Sequence, residues 1–207
     1  FTYVGGGAGS KIYKSEDGGK NWRELKSGLP SATKGRIGMD ISPSNPDFLY
    51  ALVEAENNQK GLYFSNNRGE SWKKVNKYVT SGNYYQEVFC DPKDPKKVFF
   101  MDTWLHHTTD GGKTVVKTGE KSKHVDNHCI WINPNDTDHW IVGCDGGLYE
   151  TWDHANNWHY KPNLPITQFY KVAVDNDFPF YNIYGGTQDN NSLGGPSRTI
   201  TNHGIMN

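Results

Sequence analysis

The chain has 207 residues, enough for a domain with a sizeable core, and its 22 basic and 23 acidic residues leave a net charge of −1. It has no basic stripe and no apolar run near the ~20 residues of a membrane span, so neither nucleic acid binding nor a membrane helix is expected. Aromatic residues form 14% of the chain, and 23 glycines and 10 prolines favour many short strands joined by turns.

Strand-like runs of β-branched and aromatic residues follow one another along the chain, bounded by Gly, Pro, Asn and Asp. In chain order they read KIYK, WREL, RIGMDIS, FLYALVE, GLYFS, WKKV, QEVFC, KVFFMD, LHHTT, VVKT, CIWIN, HWIVGC, GLYET, WHYK, YKVAV and FYNIYGG. No segment has a convincing helical period. The sequence therefore predicts an all-β protein.

An eight-residue segment, first seen as SEDGGKNW, recurs at residues 15–22, 65–72, 108–115 and 151–158. Its third position is Asp17, Asn67, Asp110 or Asp153, so the copies are 50, 43 and 43 residues apart. This is the spacing of β-propeller blades. Four predicted strands accompany a full repeat, and the segment lies between the third and the fourth. We expect one propeller segment over residues 1–207, with about four to five blades of four antiparallel strands.

The residue types in the repeated segment suit a tight hairpin turn. Ser or Thr at the first position and Asp or Asn at the third can hydrogen-bond backbone amides, and Gly at the fifth permits a positive φ. Trp at the eighth position can be buried between blades. Because Asn67 replaces the aspartate in one copy, a catalytic role is not expected. The positions with this structural role are Ser15, Asp17, Gly19, Trp22, Ser65, Asn67, Gly69, Trp72, Asp110, Gly112, Asp153 and Trp158.

The pattern S-x-D-x-G-x-x-W resembles the Asp-box, or BNR, repeat of sialidases, sortilin/VPS10-type ectodomains, xyloglucanase-like glycosidases and secreted bacterial propellers. The segments HVDNHCIWINPND, GCDGGLYET and YGGTQDNNSLGGPSRT resemble the last group most. The resemblance implies that this chain is part of a larger ring, whose other blades come from the rest of the chain or from another chain. A closed ring of four or five blades is the alternative. It also implies an extracellular, periplasmic or outer cell-surface location.

Ligands of propellers usually bind on the face formed by the connections between blades and between the second and third strands. His124, Asp126 and His128 enter the first strand of the fourth repeat, and they share one face if that run is extended. Two imidazoles and a carboxylate could hold a divalent cation, and no other cofactor is expected. A hydrogen-bonded polar cluster is the alternative.

Other loops on this face carry further candidates. The segment GGTQDNN could bind a glycan or a peptide end through its amides and carboxylate, and Trp104, with Tyr84 and Tyr85, offers aromatic contacts. The candidate binding residues are therefore His124, Asp126, His128, Gln188, Asp189, Arg198 and Trp104. Asp145 is expected only to form a tight turn.

These features support two functional hypotheses. The first is a secreted or cell-surface interaction module that binds a protein or a glycan. The second is a xyloglucanase-like glycosidase, which needs two carboxylates about the sugar bond, and Asp126 and Asp189 are the pair to nominate. Sialidase activity is not expected, because the FRIP-type motif is absent. The chain has four arginines, Arg23, Arg36, Arg68 and Arg198, and Arg23 and Arg68 belong to the regions of the repeated segment, so too few remain for an arginine triad.

The sequence holds three cysteines. If the CIWIN/HWIVGC hairpin is centred between residues 136 and 137, Cys129 lies directly opposite Cys144. This arrangement is compatible with a disulfide between them and with two separate thiols. Cys90 is expected to be a buried thiol.

Overall fold

The computed structural model describes residues 6–81, 85–162, 169–187 and 192–198. The chain divides into two compact units, Phe1–Pro162 and Asn163–Asn207, which are treated separately below. The expectation of one propeller segment over the whole chain therefore stays a prediction.

The described residues of the first unit form four antiparallel sheets, each a simple up-and-down meander. Blade 1 has two strands, and blades 2, 3 and 4 have four strands each, called A to D in chain order. The strands of blades 1 and 2 are β1 (Ile12–Lys14), β2 (Arg23–Leu25), β3 (Lys34–Ile41), β4 (Leu49–Ala55), β5 (Gly61–Ser65) and β6 (Lys73–Asn76). Those of blades 3 and 4 are β7 (Glu87–Cys90), β8 (Val98–Met101), β9 (His106–Thr108), β10 (Val116–Lys117), β11 (Asn127–Ile132), β12 (Trp140–Cys144), β13 (Gly147–Thr151) and β14 (His159–Tyr160).

In the second unit, residues 169–187 and 192–198 are described, and they form one antiparallel sheet of three strands, β15 (Phe169–Val174), β16 (Asn182–Thr187) and β17 (Ser192–Pro196). The described residues contain no helix, and so none that could cross a membrane. The prediction of an all-β propeller built from four-stranded antiparallel blades is confirmed. About five blades are represented, because the fifth sheet follows the four in the first unit.

The core of the first unit lies between neighbouring blades rather than inside any one of them. One apolar cluster joins blades 1 and 2, a second joins blades 2 and 3, and a third joins blades 3 and 4. In the third, the Phe99 ring meets the Trp140 ring edge to face, with centroids 4.8 Å apart. Each fully buried large side chain of this kind contributes roughly 1.5–3 kcal/mol.

Burial between two blades explains the composition of the second strand of blade 2. Residues Leu49 to Val53 of β4 are all buried, because one face of the strand packs on blade 1 and the other on blade 3. A strand covered on both faces becomes a continuous apolar run instead of an alternating one. The sequence LYALV has this pattern.

Candidate functional site

The two ends of the blades have different chemistry. The A–B turns and the repeated eight-residue segments lie at one end, called the box end, because each segment joins strands C and D. The B–C connections and the links between blades lie at the other, called the connection end. Antiparallel meanders require this division, since successive connections alternate between the ends of a sheet.

At the box end, all four segments form the same hydrogen-bonded turn. The hydroxyl at the first position accepts a hydrogen bond from the fifth backbone N–H, at 2.8 to 3.1 Å. It also donates to the third side chain, at 2.8 to 2.9 Å. The third side chain in turn accepts from the seventh backbone N–H, at 2.9 to 3.0 Å.

These bonds hold the carboxylates of the turns in the charged form. The backbone N–H of Asn21 lowers the pKa of Asp17, and the side chain of Asn157 does the same for Asp153. For Asp110, burial works in the opposite direction, but hydrogen bonds from Thr114 and Thr108 outweigh it and lower the pKa to about 2. Carboxylates saturated by turn donors are poor acids or bases at neutral pH. The polar side chains of the box end are therefore engaged in hydrogen bonds within the turns.

The eighth position of the turn packs on the preceding blade. Trp72 is 6% exposed and lies in the cluster with blade 1, and Trp158 is 9% exposed in the cluster with blade 3. Val115 takes the same place against blade 2. Trp22, expected to be buried between blades, is instead 63% exposed. The physical reason is that the described residues include no blade before blade 1 for its ring to pack against.

The connection end of blades 3 and 4 brings together four side chains, Tyr85, Asp126, His128 and Asp145, called the Tyr–His cluster below. The rings of Tyr85 and His128 stack, with centroids 5.6 Å apart and planes inclined by 21°. The Tyr85 hydroxyl donates to Asp126 Oδ1 at 2.8 Å, and His128 Nε2 lies 2.8 Å from Asp145 Oδ1. Two stacked rings thus each contact a different carboxylate.

The backbone places these carboxylates on adjacent segments. Asp126 has a φ of +60° immediately before β11, and its carbonyl accepts the Asp145 N–H at 3.1 Å. The Asp126 N–H donates to the Thr103 carbonyl of blade 3 at 2.8 Å. Aspartate tolerates the left-handed region better than most residues. The entry to β11 is therefore fixed to both neighbouring loops.

Burial and charge differ across the Tyr–His cluster. Burial raises the pKa of the Tyr85 hydroxyl; the Thr103 side chain lowers it and the Asp126 carboxylate raises it again. Tyr85 and Asp126 are half-buried, whereas the Asp145 side chain is 63% exposed. Among the described residues, no lysine or arginine forms an ion pair with either carboxylate. The cluster therefore presents negative charge beside an aromatic stack.

Trp104 lies on the B–C connection of blade 3, next to Thr103, and is 43% exposed. The Lys117 ammonium sits over its ring, 3.0 Å from the centroid. The indole therefore already holds a cation while a large part of its surface stays in contact with solvent. The sequence nominates Trp104 as a binding residue, and that role stays a prediction.

A buried ion pair supports this end of the molecule. Lys123 Nζ lies 2.9 Å from Glu120 Oε1, and their side chains are 0% and 2% exposed. Lys123 also donates to Asn127 Oδ1 and to the His124 carbonyl, and Glu120 accepts the Leu105 N–H. These bonds fix the link between blades 3 and 4, from which Asp126 projects.

The metal-ligand set expected from HVDNH is not assembled. Asp126 has left-handed backbone, so residues 124–128 are not extended and the side chains do not share one face. His124 is exposed and its Nδ1 contacts the Val125 carbonyl, while His128 contacts Asp145. In the part of the chain that the structure describes, no three His, Cys, Asp or Glu side chains could hold a metal ion.

Of the other nominated residues, Gln188, Asp189 and Arg198 belong to the second unit and Tyr84 to the first. Gln188 and Asp189 lie outside the described residues, as does Tyr84, so the Asp126–Asp189 pair stays a prediction. Arg198 is described, and its guanidinium lies 5.3 Å from the centroid of the Phe180 ring.

The expected pairing of Cys129 with Cys144 is wrong. Cys144 lies opposite Asn127, and Cys129 lies opposite Gly143, because an irregularity between Asn127 and Cys129 shifts the register. No disulfide forms, and all three cysteines are thiols. Cys90 is buried, as expected, and burial raises the pKa of its thiol.

Sequence reasoning missed the role of Asp145 and the pairing of Tyr85 with Asp126. Asp145 was expected only to form a turn, yet its side chain meets His128. The signal that could have found it is topological: a B–C turn and the start of strand A lie at the same end of a blade. Asp145 and His128 therefore had to be neighbours.

Comparison with known proteins adds to this geometry. A family model described as sortilin, neurotensin receptor 3, of the Sortilin-Vps10 type, matches residues 2–104. Sortilin of Rattus norvegicus is 27% identical over 192 residues, which cover 84% of this chain and 20% of sortilin. The chain thus spans about a fifth of the length of the curated relatives it matches.

Solved structures show the same architecture. The GH74 xyloglucanase from Xanthomonas campestris superposes with a TM-score of 0.56 at 16% identity, covering 89% of this chain and 32% of the enzyme. YCF48 bound to D1 peptide superposes with a TM-score of 0.55 at 10% identity, covering 86% of this chain and 57% of YCF48. At such identities the likeness concerns the fold. The solved structures show a β-propeller fold, and the family model and the sortilin relatives show that the sequence is similar to Sortilin-Vps10 proteins.

Proposed function

We propose that the chain is the protein-binding module of a secreted or cell-surface protein, and that it binds a peptide segment of its partner at the connection end of blades 3 and 4. The observation that carries this proposal is the Tyr–His cluster. It joins a stacked aromatic pair to two carboxylates and leaves Asp145 open to solvent.

The composition of this end suits recognition of a protein. Aromatic side chains are the usual anchors of protein interfaces, and Trp104 is exposed on the loop whose Thr103 carbonyl accepts the Asp126 N–H. Polar groups near them can accept hydrogen bonds from a peptide backbone or side chain. A surface that joins aromatic and polar groups in this way favours a specific ligand.

The site is also held in place before any ligand arrives. Tyr85 is fixed by its hydrogen bond and its stacking partner, and the Lys123–Glu120 pair fixes the link that carries Asp126. Preorganised groups lose little conformational entropy on binding. This rigidity suits a binding surface.

The similar folds include both a xyloglucanase and a peptide-bound propeller, so the choice of a protein ligand over a glycan rests on the side chains of the site. YCF48 is a propeller of similar fold with a bound peptide, whereas no observation at this end favours a sugar bond between two carboxylates. Asp126 is hydrogen-bonded to Tyr85, and its nominated partner Asp189 lies outside the described residues. The glycosidase hypothesis is therefore not carried into the proposal.

The test is selection of peptides from a random display library on the immobilised chain, followed by affinity measurements with the selected peptides. We expect Tyr85→Ala and Trp104→Ala each to weaken binding by about tenfold or more, the usual effect of losing an aromatic anchor. Trp22→Ala is the matched control, because Trp22 is exposed at the box end of blade 1. Selected peptides that bind equally well to all three variants would contradict the proposal.

A further inference from the structure

We infer that the peptide bound at the Tyr–His cluster is anchored by a basic side chain, an arginine or a lysine. This inference rests on the proposed function and adds to it the chemistry of the ligand. It follows from the distribution of charge at this end of the molecule, where three described positive side chains have partners within the chain and the two carboxylates of the cluster have no lysine or arginine partner among the described ion pairs.

Three described cations at the connection end already have partners. Arg36 of β3 lies 3.3 Å from Glu87 of β7, and Lys123 is buried against Glu120. The Lys117 ammonium lies over the Trp104 ring. Each of these positive charges is therefore satisfied within the chain.

The two carboxylates of the cluster are satisfied only in part. A carboxylate can accept about four hydrogen bonds. Asp126 receives one from the Tyr85 hydroxyl, and Asp145 is in contact with His128. Among the described ion pairs, neither carboxylate has a lysine or arginine partner. An incoming cation would supply the missing donors and the missing charge.

The stacked rings provide the second half of such a site. A guanidinium is planar, stacks on aromatic faces and donates to carboxylates at the same time. The rings of Tyr85 and His128 lie nearly parallel. The Tyr85 hydroxyl is hydrogen-bonded to one carboxylate, and His128 Nε2 contacts the other. The contact between Lys117 and Trp104 shows, on the adjacent loop, that an aromatic ring at this end holds a cation.

The experiment uses the whole chain and two synthetic peptide pools. Both have randomised neutral residues, with arginine at one fixed central position in the first pool and citrulline, its neutral isostere, in the second. We expect the arginine pool to bind about twofold to fivefold more tightly, the range for a partly exposed charge pair. Raising the salt should reduce this preference, because exposed charges are screened.

Variants then locate the effect. Asp126→Asn and Asp145→Asn should each reduce the preference for arginine, and both keep the local hydrogen-bonding shape, since asparagine also tolerates a positive φ. Asp138→Asn is the matched control. Asp138 lies at the box end of the same blade, contacts His154 and is 61% exposed, against 63% for Asp145. The control should leave the preference unchanged.

The outcomes separate this inference from the proposed function. If both pools bind equally and Trp104→Ala weakens both, the basic anchor is refuted while peptide binding stands. If neither pool binds detectably, both the anchor and the proposed function are refuted. Equal loss of the arginine preference in Asp138→Asn would also overturn the inference, because the effect would not belong to the cluster.

Discussion

Tyr85 and Asp126 join two blades through one hydrogen bond. Tyr85 lies on the link that leads into blade 3, and Asp126 ends the link that leads into blade 4. The Tyr85 O–H donates to Asp126 Oδ1, with 2.8 Å between the two oxygens. The same contact holds the candidate site together and ties neighbouring blades at their connection end.

Replacing Tyr85 with Phe removes this bond and keeps the ring that stacks on His128. We expect the free energy of unfolding to fall by about 1 kcal/mol, the usual contribution of a hydrogen bond that is only partly buried. Urea denaturation measures it. Tyr160→Phe is the control, because the Tyr160 ring packs on Tyr149 and is 51% exposed. Equal losses in the two variants would argue against a role for the Tyr85 hydroxyl.

Removing the buried cation Lys123 should be much more damaging. Lys123→Met leaves the Glu120 carboxylate buried without its counter-charge, which costs about 3–5 kcal/mol in comparable pairs. We expect a large fall in the midpoint of urea unfolding, or failure to fold. The double variant Lys123→Met, Glu120→Met removes both charges and should recover much of the loss. If the double variant were less stable than the single one, the pair itself would not be the cause.

The Asp110 turn predicts a dependence of stability on pH. The pKa of Asp110 is about 2 in the folded chain against an ordinary value of 3.8, so its charged form stabilises the fold. Because the folded pKa is the lower one, this contribution is present above about pH 4 and is lost as pH falls towards 2. Asp110→Asn should remove that part of the acid sensitivity, measured as urea midpoints across this range.

The second repeat supplies the reciprocal control for Asp110. Asn67 occupies the same position and accepts the same bonds from Ser65 and Ser71. Asn67→Asp should therefore add acid sensitivity to a turn that lacks it. Identical pH profiles for the wild type and both variants would show that the turn carboxylates do not contribute to acid unfolding.

The fold could be predicted from the sequence because the residues that determine each blade are close together in the chain and recur in every repeat. Each repeated segment fixes a C–D hairpin, and the apolar runs beside it fix the strands, so the four-stranded blades follow. The candidate site was only partly predictable. The left-handed backbone conformation of Asp126 and the register shift between Asn127 and Cys129 each concern one position, and no sequence pattern predicts them. They undo both the HVDNH metal set and the Cys129–Cys144 pairing.

Trp22 shows a different limit of prediction from sequence. Its turn is built like that of Trp72, and each indole N–H donates to the carbonyl of the fifth residue of its own turn at 3.0 Å. The local sequence therefore gives both tryptophans the same conformation. The difference lies in what each ring packs against. That surface belongs to the preceding blade, and the sequence of the repeat itself does not determine it.

This difference makes the two tryptophans a matched pair. Trp72 is 6% exposed and Trp22 is 63% exposed, while their local hydrogen bonds are alike. Trp72→Ala should lower the free energy of unfolding by about 3–5 kcal/mol, because it opens a cavity between blades 1 and 2. Trp22→Ala should cost well under ~1 kcal/mol, as for other exposed sites. Urea denaturation of both variants tests this. Similar losses would mean that the turn, and not the packing between blades, is what the eighth residue stabilises.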